Sequence, residues 1–206
     1  MTDTPSQNNI LILFAHPKFE ESIHNKLLVS RIPESPHITF HNLCERYPDF
    51  QIDVDFEKDL LTRNQVIIWQ HPLYWYSAPP LLKQWLDMVL ELGWAYGPGG
   101  TSLQGKIVFN AITTGGPRTS YSKDGYNNFT IKELLAPFHQ TANLCKMIYL
   151  PPFALHGTRR ATRDELLPAA ETYRLLLTTI AAGEIPLSDM QSYDYLNDWM
   201  EEQRNK

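Results

Sequence analysis

Residues 65–92 read QVIIWQHPLYWYSAPPLLKQWLDMVLEL, and this stretch contains the features that decide the fold. Gln65–Gln70 is a short apolar run rich in β-branched residues, which is typical of a buried strand. Pro79–Leu92 is typical of a helix, because apolar residues recur on one face at helical spacing: Leu82, Trp85, Leu86 and Val89. Ser77 is positioned to cap this helix and Gly93 to end it. A buried strand followed by an amphipathic helix indicates one unit of a parallel α/β sheet.

The same alternation of strand and helix continues on both sides of this stretch. The other predicted strands are Ile10–Ala15, Ile38–Leu43, Lys106–Thr113 and Lys146–Leu150. The other predicted helices are Ser22–Arg31, Phe56–Thr62, Ile131–Ala142 with a disturbance at Pro137, and Arg163–Ala182. This pattern predicts an α/β fold with a doubly wound parallel sheet, whose ligand site lies at the carboxyl ends of the strands. The pattern does not decide whether the tail after Gly183, which contains Trp199, packs on the body or on a partner.

The composition disfavours several classes of function. The chain has 206 residues, of which 43% are hydrophobic, and its formal net charge is -5. Nucleic-acid binding is not expected, because phosphate contacts need clustered Lys and Arg. The densest basic group, Arg159, Arg160 and Arg163, is interpreted as a solvated loop and a helix start. No apolar run approaches the ~20 residues of a spanning helix, and the polar N-terminus has no signal-peptide pattern. We therefore expect a cytoplasmic protein with no transmembrane segment.

The loop after the first strand has the features of an anion site at a helix start. It lacks the GxGxxG pattern of dinucleotide-binding folds and the GxxxxGK[ST] pattern of the P-loop. Ser22 and Asn25 nevertheless lie at the start of a helix, where free N–H groups and the helix dipole favour a phosphate. His16 and His24 are candidate donors beside them. The alternative is that Ser22 only caps the helix and that the histidines are ordinary loop donors.

The loop after the third strand carries three adjacent aromatic residues, Tyr74, Trp75 and Tyr76. Packing alone rarely requires such a cluster in a loop, whereas a flat, mostly apolar ring stacked there would explain it. Pro72 and Leu73 precede the cluster, and N–H groups of this loop are candidates to bond the polar edge of the ring. The alternative is a dimer contact or a plug for the core, and both are compatible with ring binding.

The loop after the fourth strand begins with Thr113, Thr114, Gly115 and Gly116. Glycine allows the backbone to approach a ligand closely, and the threonine hydroxyls and glycine amides suit a polar ring edge. The alternative is a simple turn. Because all three loops leave the same edge of a parallel sheet, together they predict one crevice. The sequence has no G-x-S-x-G elbow and no metal-ligand spacing, so neither a serine hydrolase nor a metal centre is expected.

These motifs resemble a known family. AHP at 15–17, QHPLYWYSAPPLLKQWLD at 70–87 and TTGG at 113–116 resemble the flavodoxin-like NAD(P)H:quinone oxidoreductases. The middle motif is long and therefore specific. YPDFQID at 47–53, GWAYGPGG at 93–100 and LPPFALHGT at 150–158 resemble, within that family, the KefF/KefG-type ancillary flavoproteins of glutathione-gated potassium efflux.

The resemblance implies the fold, the assembly and the cofactor. It implies a flavodoxin-like five-stranded sheet of order 2-1-3-4-5 in a single domain over residues 1–206, with its core at about 10–182. It implies a homodimer with each flavin at the subunit interface. It further implies FMN rather than FAD as the flavin, and NADH or NADPH as the electron donor.

By matching position, the resemblance also assigns roles to residues. Those expected to face the flavin phosphate and ribityl chain are His16, Ser22, His24 and Asn25. Those expected to flank the ring are Pro72, Leu73, Tyr74 and Trp75, and those expected to hold its polar edge are Thr113, Thr114, Gly115 and Gly116. Tyr121 falls at the active-site tyrosine, and Trp94 and Tyr96 are candidates to reach the partner's site. Asn127 stands where larger quinone reductases have a histidine, and an amide does not relay a proton near neutral pH.

Two functions follow from the resemblance. The first is an enzyme that passes two electrons from NAD(P)H through the flavin to a quinone or a related electrophile. The alternative is a regulatory subunit that docks on the cytoplasmic side of a potassium-efflux antiporter and activates it. A one-electron carrier is disfavoured, because the chain lacks the hydroxyl- and glycine-rich phosphate loop of true flavodoxins.

Overall fold

The sheet has the predicted order. The computed structural model describes residues 7–183 and 185–206. Its parallel sheet runs β2-β1-β3-β4-β5, and a further strand, β6, also pairs with β4. The strands are β1 (Ile10–Phe14), β2 (Ile38–Asn42), β3 (Val66–Pro72), β4 (Ile107–Thr113), β5 (Ile148–Tyr149) and β6 (Phe153–Leu155). The flavodoxin-like order 2-1-3-4-5 is therefore confirmed, and it puts the switch in strand order between β1 and β3.

Helices cover both faces of the sheet. They are α1 (Ile23–Val29), α2 (Leu43–Arg46), α3 (Val54–Arg63), α4 (Pro80–Val89), α5 (Ile131–Leu134), α6 (Ala136–Leu144), α7 (Arg163–Ala181), α8 (Leu187–Met190) and α9 (Leu196–Arg204). Short 3-10 turns occur at Phe19–Glu21 and Arg118–Ser120. The sequence pattern did not predict α2, whose four residues are too few to show helical periodicity.

The central strands are buried on both faces, which explains their continuous apolar runs. Side chains alternate along a strand, so Leu11 and Leu13 of β1 join the core beneath the α2–α6 helices. Ile10 and Ile12 join the second core, against α1, α7 and α9. Strands that are buried twice in this way leave only the two sheet edges and the strand ends accessible to a ligand.

Two details of the predicted α4 are wrong. Ser77 does not cap the helix; the N-cap is Pro79, in extended conformation and without a side-chain hydrogen bond. The residue before a proline is disfavoured in helical conformation, so the helix begins only at Pro80. Gly93 does not end the helix, which stops at Val89; its φ of +81° instead serves the following turn.

The fifth strand extends further than predicted. The expected strand Lys146–Leu150 is shorter at both ends, but pairing with β4 resumes after Pro151 and Pro152 as β6. Proline lacks an N–H group and is tolerated at a sheet edge, so these two residues interrupt the strand without ending it. Because β6 is parallel to β4, the loop after Leu155 leaves the sheet at the carboxyl ends of the strands, as the three predicted loops do.

The disturbance predicted at Pro137 is confirmed, because α5 and α6 are separate helices with a break at Leu135. The tail, which the sequence left undecided, packs on the body. Trp199 is only 2% exposed and contributes to the core beside α7. Its indole N–H donates to Asp189 at 2.8 Å.

The motif at 47–53 is fastened by a buried carboxylate. Glu57 of α3 is fully buried and accepts hydrogen bonds from Tyr47, at 2.6 Å, and from the Trp85 indole, at 2.7 Å. Its Oε1 also lies 2.7 Å from Nε2 of His41. A buried carboxylate is tolerated only when its oxygens are well bonded, so this cluster ties α3, α4 and β2 together.

Candidate functional site

The predicted loops meet at the carboxyl edge of the sheet. Two adjoining clefts open there, of about 720 and 1020 Å³. The first is lined by most of the predicted residues: His16, Ser22, His24, Asn25, Pro72, Leu73, Tyr74, Trp75, Thr113 and Gly115. The second is lined by Gly116 and Tyr121, and it shares Leu73, Trp75, Gly115 and Arg159 with the first. Thr114 lines neither cleft.

The first loop forms a polar helix start. Ser22 caps α1, and its hydroxyl accepts the backbone N–H of Asn25 at 3.3 Å. The Asn25 side-chain amide donates to Ser22 and to Thr113 of β4. Its carbonyl oxygen Oδ1 is buried and has no partner among the described residues. The N–H groups of Ile23 and His24, in the first turn, have no partner within the helix and are available to an anion.

Each of the two histidines of this loop lies within hydrogen-bond distance of a polar group. His16 is buried; its Nδ1 accepts the N–H of Lys18 at 3.1 Å, which leaves Nε2 to carry the proton, 3.3 Å from the Tyr74 hydroxyl. Burial lowers the pKa of His16, so its ring is neutral near pH 7. His24 Nε2 lies 3.2 Å from the carbonyl oxygen of Ala161.

The acidic residues of the loop do not oppose an anion. Glu20 is exposed and pairs with Lys26 at 2.7 Å. Glu21 is also exposed and lies 3.5 Å from Lys18. Because both carboxylates are solvated and neutralised by a neighbour, their repulsion of an anion at the helix start is weak.

The aromatic loop presents one ring almost entirely to solvent. Trp75 is 93% exposed and has a φ of +48°, and Tyr76 follows with a φ of +63°. Left-handed backbone is strained for bulky residues, and such strain persists only where the surroundings hold it. The Tyr76 hydroxyl donates to Asn127 at 3.3 Å, which ties this loop to the loop around Tyr121.

A buried polar chain supports the start of the aromatic loop. His71 is fully buried, and its Nδ1 donates to the carbonyl oxygen of Pro72 at 3.0 Å. Its Nε2 accepts from the side chain of Asn110 at 3.0 Å, and Asn110 accepts the Tyr149 hydroxyl at 2.6 Å. With the Asn110 amide in this orientation, every group of the hydrogen-bond chain is bonded only if His71 is neutral, and burial lowers the pKa of His71 to about 4.

The glycine loop, residues 113–116 at the end of β4, has unpaired backbone N–H groups. Among the described residues, the N–H groups of Gly115 and Gly116 have no acceptor. Their carbonyl oxygens accept instead, from the N–H of Arg159 at 3.3 Å and of Gly157 at 2.8 Å. The loop is therefore held through its carbonyl oxygens, while the N–H groups of these two glycines remain without a partner beside the clefts. Two adjacent donors of this kind suit the carbonyl or deprotonated nitrogen edge of a ring.

Thr114 supports this loop from inside. Its hydroxyl donates to the carbonyl oxygen of Gly116 at 3.0 Å and lies 2.9 Å from Nδ1 of His156. Since the hydroxyl proton is already used, it accepts from the histidine, whose Nε2 is left as a buried acceptor without a partner in the described chain. Burial lowers the pKa of His156 to about 4, so this ring is also neutral.

Tyr121 packs directly on the glycine loop. A Cβ atom at Gly116 would lie 3.5 Å from the Tyr121 hydroxyl and 3.4 Å from its ring, which is van der Waals contact, so the tyrosine lies directly against this glycine. The His156 ring lies 5.7 Å from the Tyr121 ring, centroid to centroid. Among the described residues no side-chain hydrogen bond involves the Tyr121 hydroxyl, and the residue borders the second cleft.

Sequence reasoning missed the loop after β6. Arg159 was interpreted as part of a solvated loop, yet it lines both clefts, and Thr158 lines the first. Thr158 donates its N–H and its hydroxyl to the carbonyl oxygen of Thr114, at 3.0 and 3.1 Å. The signal was available, because the loop after a fifth parallel strand leaves the same sheet edge. The apolar run predicts a strand that ends at Leu150, and a strand of that length does not bring residues 158 and 159 to the site.

Trp94 and Tyr96 are partly buried against the core of their own chain, and Lys58 lies over the Trp94 ring at 5.3 Å.

No described helix is long and apolar enough to cross a bilayer. No group of three or more His, Cys, Asp or Glu among the described residues is arranged to hold a metal.

The fold and the site define a flavodoxin-like α/β protein with a polar helix start, an exposed aromatic loop and a glycine loop around one crevice. The model of the flavodoxin-like fold family matches residues 8–176. The chain therefore belongs to this family. A glutathione-regulated potassium-efflux system ancillary protein KefG from Erwinia tasmaniensis is 42% identical over 164 residues, which are 80% of this chain and 89% of that protein.

Two solved structures are similar over nearly their full length. General stress protein 14 of Treponema denticola, in complex with FMN, is 38% identical with a TM-score of 0.79, covering 84% of this chain and 99% of that one. An NADPH-quinone reductase from P. pentosaceus is 34% identical with a TM-score of 0.75, covering 82% and 97%.

The buried chain through His71 predicts a pH dependence of stability. In the unfolded chain the histidine has a pKa of about 6.5, whereas in the folded protein it is about 4, so the unfolded state binds more protons between these values. The free energy of unfolding is therefore expected to fall by about 2 kcal/mol from this residue between pH 7 and pH 5. Denaturant unfolding at both pH values measures it.

The variant His71→Gln isolates this contribution from those of the carboxylates. It is expected to be less stable at pH 7 and to lose less stability on acidification than the wild type. His37→Gln is the matched control, since His37 is only partly buried and bonds Asn9 at a distance from the site. Equal pH slopes for wild type and His71→Gln would contradict the assignment.

Proposed function

We propose that this protein is an FMN-dependent NAD(P)H:quinone oxidoreductase. The observation that carries the proposal is the convergence of three loops on one crevice, with an anion site at one end, an exposed aromatic loop beside it and free amides at the other. The relatives support it, since an NADPH-quinone reductase is 34% identical over 97% of its length. The coarser class, an oxidoreductase, rests on the same neighbours.

The residues present fit FMN. The unpartnered Asn25 Oδ1 and the free first-turn N–H groups of α1 suit the ribityl hydroxyls and the phosphate. The exposed Trp75 and the neighbouring Leu73 suit one face of the ring, and the N–H groups of Gly115 and Gly116 suit its pyrimidine edge. FMN is preferred to FAD because the similar protein from Treponema denticola was solved with FMN.

When bound, the flavin would accept a hydride from NAD(P)H and pass two electrons to the quinone. The protein's own part is to orient both substrates and to favour the negatively charged reduced form. Gly115 and Gly116 donate towards the ring edge where that charge develops. Tyr121 stands at the border of the second cleft, where NAD(P)H and the quinone would bind in turn, and its free hydroxyl is available to a substrate oxygen.

Asn127 and His156 bear on the proton supply. Asn127 borders the second cleft and already accepts from Tyr76, so it stabilises the loop and moves no proton. The His156 ring packs beside Tyr121, and its neutral Nε2 is an acceptor. We therefore assign the hydrogen bond to the acceptor substrate to Tyr121 itself.

We propose that the active unit is a homodimer. Trp75 and Tyr126 are 93% and 88% exposed, and both border the clefts. Large exposed aromatics beside a site are typical of surfaces that a partner covers. A second copy of the chain would complete the crevice and shield the ring from water.

A second function is favoured by a specific finding, the 42% identity to a KefG ancillary protein. In this proposal the same protein docks on the cytoplasmic side of a potassium-efflux antiporter and favours its active state.

The holoprotein is expected to be retained by the immobilised soluble domain of the antiporter from the same organism. The Trp75→Ala variant and a wild-type sample with free FMN serve as comparisons. Absence of binding with FMN and NADPH present would remove the regulatory proposal and leave the enzyme proposal intact.

The cofactor proposal predicts a coloured protein that distinguishes FMN from riboflavin. Purified protein supplied with FMN is expected to show bound flavin that bleaches with NADH or NADPH and recovers with a quinone. FMN is expected to bind at least about 100-fold more tightly than riboflavin, which lacks the phosphate that the α1 start would hold. Fluorescence quenching titrations measure both affinities. A protein that binds neither flavin would overturn the function.

Tyr121→Phe tests the role of the tyrosine. Removing the hydroxyl is expected to slow turnover with a quinone by about tenfold or more, because a hydrogen bond to a reacting oxygen is lost, with FMN affinity unchanged. Stopped-flow flavin absorbance separates reduction by NADPH from reoxidation by quinone. Tyr193→Phe is the matched control, since that hydroxyl bonds Glu202 on α9. If both half-reactions keep their rates, Tyr121 has no such role.

A further inference from the structure

The C-terminal segment lies outside the residues that the family model matches, which end at 176. It is nevertheless fixed to the sheet edge. Asn197 accepts the N–H of Ala154 at 2.9 Å and donates to its carbonyl oxygen at 3.1 Å, as a neighbouring strand would do. The N–H of Leu196 donates to Pro152 at 3.0 Å, and Trp199 is buried beneath. The start of α9 is therefore rigidly attached to β6.

The start of α9 binds Arg118, which begins the turn before Tyr121. The two terminal guanidinium nitrogens of Arg118, Nη1 and Nη2, donate to the two carboxylate oxygens of Asp198, each at 2.6 Å. The same guanidinium lies over the Tyr195 ring, 4.3 Å from its centroid. Arg118 begins the 3-10 turn Arg118–Ser120, and Tyr121 follows it directly, donating its N–H to the Arg118 carbonyl oxygen at 3.0 Å. A bidentate pair fixes orientation as well as distance.

The segment also contacts the other side of the glycine loop. The Tyr195 ring meets the His156 ring edge-on, with centroids 5.4 Å apart. His156 in turn bonds Thr114, which bonds the carbonyl oxygen of Gly116. Two continuous paths thus lead from α9 to the site, one through Arg118 to Tyr121 and one through His156 to Gly116.

We propose that the C-terminal segment Tyr195–Asp198 is a positioning element of the candidate active site, with Asp198 and Arg118 as positioning residues for Tyr121. The expected effect on turnover rests on the proposed reductase function, whereas the expected effect on the position of Tyr121 does not. The pair is half exposed, and such pairs contribute little to global stability. Its effect is therefore expected on the placement of Tyr121 rather than on the fold.

The first test needs no flavin and no activity. The protein is labelled with 3-fluorotyrosine, and the ¹⁹F resonance of Tyr121 is assigned as the one of ten that Tyr121→Phe removes. In Asp198→Asn this resonance is expected to shift or broaden, because the turn that carries it loses its bidentate hold. Asp59→Asn is the matched control, since it breaks the surface pair with Arg63 on α3. An unchanged Tyr121 resonance in Asp198→Asn would overturn the proposal, whatever the protein's activity.

The second test measures the consequence for turnover in the FMN-loaded protein. Asp198→Asn is expected to lower kcat with a quinone by about five- to tenfold, with bound FMN and Tm close to wild type. Asp198→Glu, which keeps a carboxylate, is expected to recover part of the rate. In the Tyr121→Phe background, Asp198→Asn is expected to add little, because it acts through the tyrosine.

The outcomes separate the two proposals. A wild type that binds no flavin overturns the reductase function, while the ¹⁹F result still decides the positioning role. A wild type that turns over and an Asp198→Asn variant of equal rate overturn the catalytic consequence alone. An Asp198→Asn variant that loses Tm and FMN together, without recovery in Asp198→Glu, shows a purely structural pair and overturns the positioning role.

Discussion

The buried hydrogen-bond chain from Tyr149 through Asn110 to His71 fixes the carboxyl end of the central strand, and the candidate site depends on it. It runs from β5 through the middle of β4 to the end of β3, so it joins all three strands. The last acceptor is the carbonyl oxygen of Pro72, from which the aromatic loop departs. Since a buried polar group without a partner costs about 1–3 kcal/mol, the arrangement favours the neutral histidine and the observed geometry. The strained backbone at Trp75 and Tyr76 is tolerable because it starts from this fixed point.

The sequence was sufficient for the fold and for most of the crevice. Long apolar runs such as Gln65–Gln70 and a clear stripe on α4 are dictated by burial, and burial is what periodicity records. Two predictions from local sequence patterns were wrong. Pro80 moves the start of α4 past the expected cap at Ser77, and a position in the outer strand of the sheet allows the pairing with β4 to continue past Pro151 and Pro152. Because of the second error, Arg159 was not predicted at the site: a strand that ends at Leu150 does not bring its loop to the carboxyl ends of the strands.

The orientation of side chains was beyond the sequence as well. Thr113 and Thr114 are identical and adjacent, yet one bonds Asn25 at the crevice and the other turns inward to His156. Alternation along a strand accounts for the difference only once the register of β4 is known. The same holds for His16 and His71, whose tautomers follow from single contacts to a backbone N–H and a backbone carbonyl oxygen.

The glycine loop explains why residues far apart in the chain belong to one site. Gly115 and Gly116 allow a ligand to approach their unpaired N–H groups closely because they have no side chains, and for the same reason they cannot order themselves by packing. Their order comes from other segments: the loop at 157–159 donates to their carbonyl oxygens, and Thr114 and Tyr121 flank them. Those flanking residues are in turn held by His156, Arg118 and the start of α9. A loop that must expose its backbone donors therefore requires supports from outside its own sequence, and here the last of them is the C-terminal helix.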